Sequence, residues 1–375
     1  MRIVLFCHSL VSDWNHGNAH FLRGVVSELG RRGHDVLVYE PRDGWSITNL
    51  RADAGDAALA SYREAYPGLA SRFYELDRLD LDAALEGAQL VLVHEWNDPA
   101  LVGRLGRHRR HASYRLLFHD THHRSVTDPA AMARYDLADF DGVLAFGDAV
   151  RDVYQRHGWG RRTWTWHEAA DTTVFRPTLA PTETDVVWIG NWGDDERTRE
   201  LEEFVFEPIK RLALTATVYG VRYPESVRMA LGRNGIVYRG YLPNHRVPAT
   251  FGRHRVTIHV PRRPYVHALR GIPTIRVFEA LACEIPLVTA PWDDCEGLFS
   301  PGSDFLVARD GDAMGRHLRS VVADPGYASA LAAHGLGTVL ARHTCRHRVD
   351  ELLTIVGDLG LADNALRPAR ACAAD

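Results

Sequence analysis

The sequence predicts an α/β protein built as two successive parallel-sheet units. Three observations carry this. Residues 3–7 are a continuous apolar run, as expected of a strand buried on both faces. A helix with Phe21, Leu22, Val25, Val26 and Leu29 on one face follows, then an apolar strand at 36–39, so the chain opens on a βαβ unit. After a Pro- and Thr-rich linker at 178–184, the strand pattern restarts at 185–190.

The 375 residues are enough for two domains of ordinary size. Hydrophobic residues make up 46% and charged residues 25%, a globular balance. A net charge of −4 argues against a protein built mainly to hold nucleic acid. The five cysteines are odd in number, widely spaced and without zinc spacing, so reduced thiols and a cytoplasmic setting are expected. The stretch before residue 7 is too short for a signal peptide, and no apolar run reaches the ~18 residues of a membrane span.

Further strands are expected at 90–93, 115–118 and 143–146, with an alanine-rich helical region at about 51–88. Polar loops after strands lie at the carboxyl edge of a parallel sheet, where open α/β folds bind ligands. Two such loops are His94-Glu95-Trp96-Asn97 and His119-Asp120-Thr121-His122-His123-Arg124. Trp159, Trp164 and Trp166 form an aromatic patch read as packing under the domain junction. In the second half, a helix is expected at 196–212, strands at 215–219, 237–239 and 256–260, and a last helix at 343–356. Arg222, Arg262, Arg263 and Arg270 all follow strand ends on one edge, which predicts a cationic rim.

The most informative stretch is 269–289. Thr274 suits an N-cap, and Ile275, Phe278, Leu281 and Ala282 make the apolar face of a helix. Amides at its start, in the loop Gly271, Ile272, Pro273 and Thr274, make an anion site. Glu279 falls at the flank of the packed face, and a carboxylate there needs a partner. A helix offering an anion-binding end and, one turn later, a hydroxyl acceptor suits a nucleotide-sugar diphosphate.

Residues 278–288 resemble the donor-site motif of retaining GT-B glycosyltransferases, most closely the CgeB-like branch. Other segments agree. Gly17-Asn18-Ala19-His20 resembles the amino-domain glycine loop, Arg32-Gly33-His34-Asp35-Val36 its second strand entry, and 167–177 the interdomain crossing. Residues 237–243 and 295–307 resemble donor-domain segments. Two positions depart: the family often has Glu at the position of Gly271, and usually has Gly where this chain has Glu284.

The resemblance covers about residues 1–356. It implies a GT-B architecture: two Rossmann-like domains facing across a cleft, with a C-terminal helix crossing back. The expected divisions are an acceptor domain at 1–175, a donor domain at 176–342, the crossing helix at 343–361 and a frayed tail at 362–375. It implies a glycosyltransferase moving sugar from a nucleotide-diphosphate donor to an acceptor hydroxyl of a small molecule or glycan, with retention. No cofactor and no obligatory metal are implied, nor a dedicated protein base.

The implied roles follow residue by residue. His119 matches the family histidine near the donor sugar, with Asp120 orienting it or binding acceptor hydroxyls. Arg270 or Arg197, with the 271–274 loop, would stabilise the departing diphosphate. Glu279 would hold the ribose. Asn191 and Trp192 belong to the loop that meets the diphosphate. Gly220, Arg222, Tyr241 and Arg263 complete the donor site. Gly17, Asn18, His94, Glu95 and His122 would contact the acceptor.

Three readings stand for 119–124: a metal site, a solvated polar loop, or a cleft loop touching sugar hydroxyls. Neighbouring His122 and His123 are expected to diverge, which disfavours the metal. Alternative functions are a GT-B epimerase or phosphorylase, an inert nucleotide-sugar binder, and a metal hydrolase on His119, Asp120, His122 and His123.

Overall fold

A computed structural model describes residues 1–361, and the tail expected to fray lies outside the described residues. The first sheet has seven strands: β1 (Arg2–Phe6), β2 (Asp35–Pro41), β3 (Ser71–Tyr74), β4 (Leu90–His94), β5 (Arg115–Asp120), β6 (Gly142–Ala145) and β7 (Thr163–Thr165). All pair in parallel, in the order β3-β2-β1-β4-β5-β6-β7. The second has six, also parallel: β8 (Thr184–Ile189), β9 (Ala216–Tyr219), β10 (Ile236–Tyr238), β11 (His254–His259), β12 (Leu287–Thr289) and β13 (Leu306–Val307). Their order is β10-β9-β8-β11-β12-β13. Strand order reverses between β1 and β4 and between β8 and β11, the positions where such sheets bind ligands.

The halves share buried surface. Leu5, Phe21, Trp166 and Phe175 belong to one continuous apolar cluster with Ile189, Ile275, Phe278 and Leu281. Tyr265, Leu269 and Ile272 of the second half pack into the outer core of the first, beside Phe146. The helix Cys345–Asp358 returns to lie against the helix Ala19–Arg31. A Cβ at Gly24 would meet Cys345 Sγ at 2.4 Å, so that contact requires glycine. Trp166 is buried at this junction, its Nε1 donating to Arg348 O at 2.8 Å.

Several expectations need correction. The helical region around 51–88 ends early: the helix Trp45–Ala65 gives way to β3, whose residues pair with the edge of β2. β7 extends the sheet through residues read only as an aromatic patch. The helix expected at 196–212 runs from Thr198 to Leu212 with a π segment at Glu202–Phe206 inside it, behind a 3₁₀ turn at Asp194–Glu196.

Of the two departures from the resembled motif, the backbone explains Gly271 but not Glu284. Gly271 has φ +92°, and a Cβ there would meet Cys295 Sγ at 2.6 Å, so a glutamate does not fit. Glu284 has φ +55° just after the helix Ile275–Ala282, the left-handed position where helices usually place glycine.

Candidate functional site

The carboxyl ends of the two sheets face each other across a cavity of about 1150 Å³. Gly17, Asn18, Thr121, His122 and His123 line it from the first domain. Asn191, Arg197, Arg222, Arg262, Thr274 and Arg276 line it from the second. A smaller cavity of about 80 Å³ continues between Asp13 and Asn15 on one side and Gly220, Tyr241 and Asn244 on the other.

The second-domain wall is strongly cationic. Arg197 is fixed by donating to Asn191 O at 2.8 Å and Val260 O at 3.1 Å, with its guanidinium 5.4 Å from the Trp188 ring centre. Burial and the neighbouring Arg262 pull its pKa down to about 9. Arg262 pairs with Glu196 at 2.6 Å. Asn191 also accepts from Val221 N–H at 2.9 Å and donates to Asn15 across the cleft. Four guanidinium groups on this wall, against the carboxylates Asp195 and Glu196, leave a net positive face that a polyanion would neutralise.

The helix Ile275–Ala282 points its start at this cavity, but differs from expectation. Thr274 is extended at the N-cap position without making the cap bond. Thr289 Oγ1 donates to Ala290 O and so accepts from His259 Nδ1. That leaves His259 Nε2 to accept from the Thr274 hydroxyl at 2.9 Å. Burial holds His259 neutral, with a pKa near 3. Glu168 accepts from the Ile275 N–H, so a buried carboxylate already occupies part of the helix end. Burial, then repulsion from Glu279, pushes Glu168 well above the usual carboxylate range.

Glu279 is fully buried and does not line the cavity. Its Oε1 accepts from His20 Nδ1 at 2.8 Å and Asn244 Nδ2 at 2.7 Å, and Oε2 pairs with Arg276. Burial pushes its pKa up, but Arg276, His20 and Asn244 more than offset this, leaving it below the ordinary value.

Other expected site residues fall away from the cavity. His119 is in the core against Trp166, Phe21 and His94, held to a pKa near 3 by burial, because its side chain points from β5 toward the first helix. Asp120 accepts from Tyr154 Oη at 2.8 Å and His122 N–H at 3.0 Å. His94 bonds Thr121 at 3.0 Å, and Glu95 is consumed by Arg124 at 2.9 Å. Arg270 turns outward to Asp293, and Arg263 to Glu200 at 2.7 Å, so the predicted cationic rim keeps only Arg222 and Arg262. Gly271, Ile272 and Pro273 form the docked loop behind the cavity, and Trp192 packs on Tyr223. Asn191, Arg197, Arg222, Thr274, Gly17, Asn18 and His122 are brought together at the cavity, with Gly220 and Tyr241 at its smaller extension.

The His122 and His123 rings do not diverge; their centres are 4.0 Å apart, and His122 Nδ1 has no partner among the described residues. Among the described residues, no group of three or more His, Cys, Asp or Glu is arranged to hold a metal. Residues not singled out from the sequence that line the cavity include Arg276, His8, Trp45 and Trp96, the last in a loop already expected at the ligand edge. Arg276 was legible as the second residue of a helix whose start faces the cleft; Trp45 was legible as lying just beyond the carboxyl end of β2.

Residues 197–354 match the model of a family described as glycosyl transferase-like. No curated protein matches the chain in sequence. Three solved structures are similar over nearly their whole length. A sucrose-phosphate synthase from Thermosynechococcus elongatus has TM-score 0.66 and 13% identity, covering 96% of this chain and 99% of its own. Anabaena Alr3699/HepE in complex with UDP and glucose has TM-score 0.65 and 13% identity, covering 95% and 99%. An alpha-glucosyltransferase in complex with UDP and a 13-mer DNA has TM-score 0.68 and 11% identity, covering 95% and 99%. Among the described residues, no helix is long and apolar enough to cross a membrane. The chain has the GT-B fold, and its second half carries the glycosyl transferase-like match.

Proposed function

We propose that the protein is a glycosyltransferase of the CgeB-like branch that moves a sugar from a nucleoside-diphosphate donor to an acceptor hydroxyl. The observation that carries the reading is the group Arg197, Arg222, Arg262 and Arg276 on the second-domain wall of an interdomain cavity. The diphosphate lies against these cations, with the nucleoside toward Gly220, Tyr241 and Asn244. UDP is the preferred nucleotide on this reading, because two of the similar structures hold UDP.

In the reaction the bond from the anomeric carbon to the diphosphate oxygen breaks, and a new bond forms to the acceptor oxygen. The hydroxyl proton passes to the departing diphosphate on the same face of the sugar, giving retention without a separate protein base. The arginines stabilise the charge that develops on the leaving group, the task a divalent metal performs elsewhere. Loss of one such donor typically raises the barrier by ~3–4 kcal/mol. Asn191 and Arg197 hold the loop around the diphosphate, and His122 faces the transferring sugar. Glu279 acts from behind, fixing Arg276 and Asn244 rather than touching the ribose.

The test is UDP release from UDP-sugars in the presence of a mixed glycan acceptor pool, with the product linkage read by NMR. Release that depends on acceptor, with α donor giving α product, supports the reading. An inverted product removes the retaining mechanism, and no release with any nucleotide sugar removes the transferase reading.

A further inference from the structure

The first-domain wall of the cavity is chemically unlike the wall it faces. The chain has nine tryptophans, and among the described residues only Trp45 and Trp96 are exposed, at 48% and 39%. Both line this wall. Exposed indoles are costly in water, and two in one concavity point to a ligand that covers them.

The rings are held in place. Trp45 follows the carboxyl end of β2 and packs edge-on to Trp14, with ring centres 5.1 Å apart. Trp96 carries the Arg124 guanidinium 4.0 Å from its ring centre and His122 edge-on at 5.0 Å. Arg124 is itself bound to buried Glu95, so this support is rigid. His8 lies between the indoles, 6.4 Å from Trp45 and 6.3 Å from Trp96. Burial, then Arg124, lowers its pKa to about 4, so it offers a neutral imidazole that both donates and accepts. Exposed Asp43 and Asp98 lie on the same wall beside the two indoles in sequence.

We infer that this wall binds a carbohydrate acceptor, a neutral pyranoside stacked on Trp45 or Trp96 with its hydroxyls directed by His8, Asp43 and Asp98. A pyranose ring presents C–H groups on its faces, which suit an indole, and hydroxyls around its edge, which suit carboxylates and imidazole. The wall also carries exposed Arg134, which offsets one of the two carboxylates, and Arg124, which is held by Glu95, so its exposed charge is still net negative and disfavours an anionic acceptor. A flat phenol would use the indoles but leave the polar edge unpaired. The inference rests on the transferase reading, because it names that reaction's acceptor.

The test uses the full chain with UDP bound. An immobilised library of neutral gluco-, galacto-, manno- and N-acetylated oligosaccharides is probed alongside the phenol 4-methylumbelliferone. The expected result is binding to a subset of glycans, weakened at least tenfold by Trp45→Ala or Trp96→Ala, with the UDP Kd unchanged within twofold. Trp45→Phe and Trp96→Tyr, which keep a stacking face and guard against misfolding, should restore most of the affinity. UDP binding with no glycan bound, a preference for the phenol, or alanine variants that bind glycans as well as wild type would each overturn the inference while leaving the donor site standing. Failure of the wild-type protein to bind UDP would instead remove the transferase reading, and the inference with it.

Discussion

His20 Nδ1 donates to Glu279 Oε1 at 2.8 Å, joining the first helix of one domain to the helix Ile275–Ala282 of the other. Its other nitrogen accepts from Asp171 N–H at 2.7 Å, which fixes the tautomer, and its ring stacks on Phe175 at 3.8 Å. The carboxylate that motif reasoning assigns to a ligand is thus the keystone of a domain junction. Asp13 works beside it, accepting from Arg23 at 2.7 Å, from Asn244 N–H at 3.2 Å and from the Tyr241 hydroxyl.

Glu279→Ala therefore acts first on stability. It leaves Arg276, His20 and Asn244 without their shared acceptor, and breaking a buried pair from one side typically costs about 3–5 kcal/mol. Urea unfolding should show this loss. A change below about 1 kcal/mol, with donor affinity alone abolished, would return Glu279 to a ligand role. Because its folded pKa is lowered, the stability it contributes is present above the unfolded value and lost as pH falls through the folded one.

Glu284→Gly should stabilise the fold. Glu284 is exposed at φ +55°, and a left-handed conformation costs a non-glycine residue roughly 1–2 kcal/mol. A rise of about 1 kcal/mol in unfolding free energy is expected, with turnover unchanged. An unaltered or lower stability would mean Glu284 makes a compensating interaction.

His119→Leu separates core packing from catalysis. The folded pKa is near 3 and the unfolded one about 6.5, so between these values only the unfolded chain takes the proton, and wild-type stability falls as pH drops. From pH 7.5 to 5 this histidine costs about 2 kcal/mol, which the variant should not lose. Transfer activity should stay within a few-fold of wild type. A thousandfold loss of kcat with an unchanged fold would restore His119 to the chemistry.

If Arg197, Arg222, Arg262 and Arg276 neutralise the departing diphosphate as proposed, turnover should persist in excess EDTA. Activity abolished by EDTA and restored by manganese would contradict this.

Much of the fold was legible because strands buried on both faces, such as 3–7, write themselves as apolar runs, and one helix face repeats as cleanly as Phe21 to Leu29. β3 and β7 were not legible, since edge strands such as Thr163–Thr165 are half-buried and mixed in character. At the site, loop membership was readable but side-chain direction was not. Strand alternation sends His119 into the core, while His122 lies past the end of β5 at Asp120 and reaches the cavity from the loop. Arg270 and Arg263 were lost to the nearby carboxylates Asp293 and Glu200, partners that only the folded chain identifies. Trp45 and Trp96 lie 51 positions apart, and only the sheet order brings both to one wall.

The most direct measurement is calorimetric titration of UDP into the wild-type protein and into Arg222→Ala and Arg262→Ala. One-to-one binding is expected, weakened tenfold or more in each variant, in line with about 1.5–3 kcal/mol for a hydrogen bond to a charged group. No heat of binding and no rise in melting temperature with UDP, GDP or dTDP would contradict a diphosphate site at this cavity.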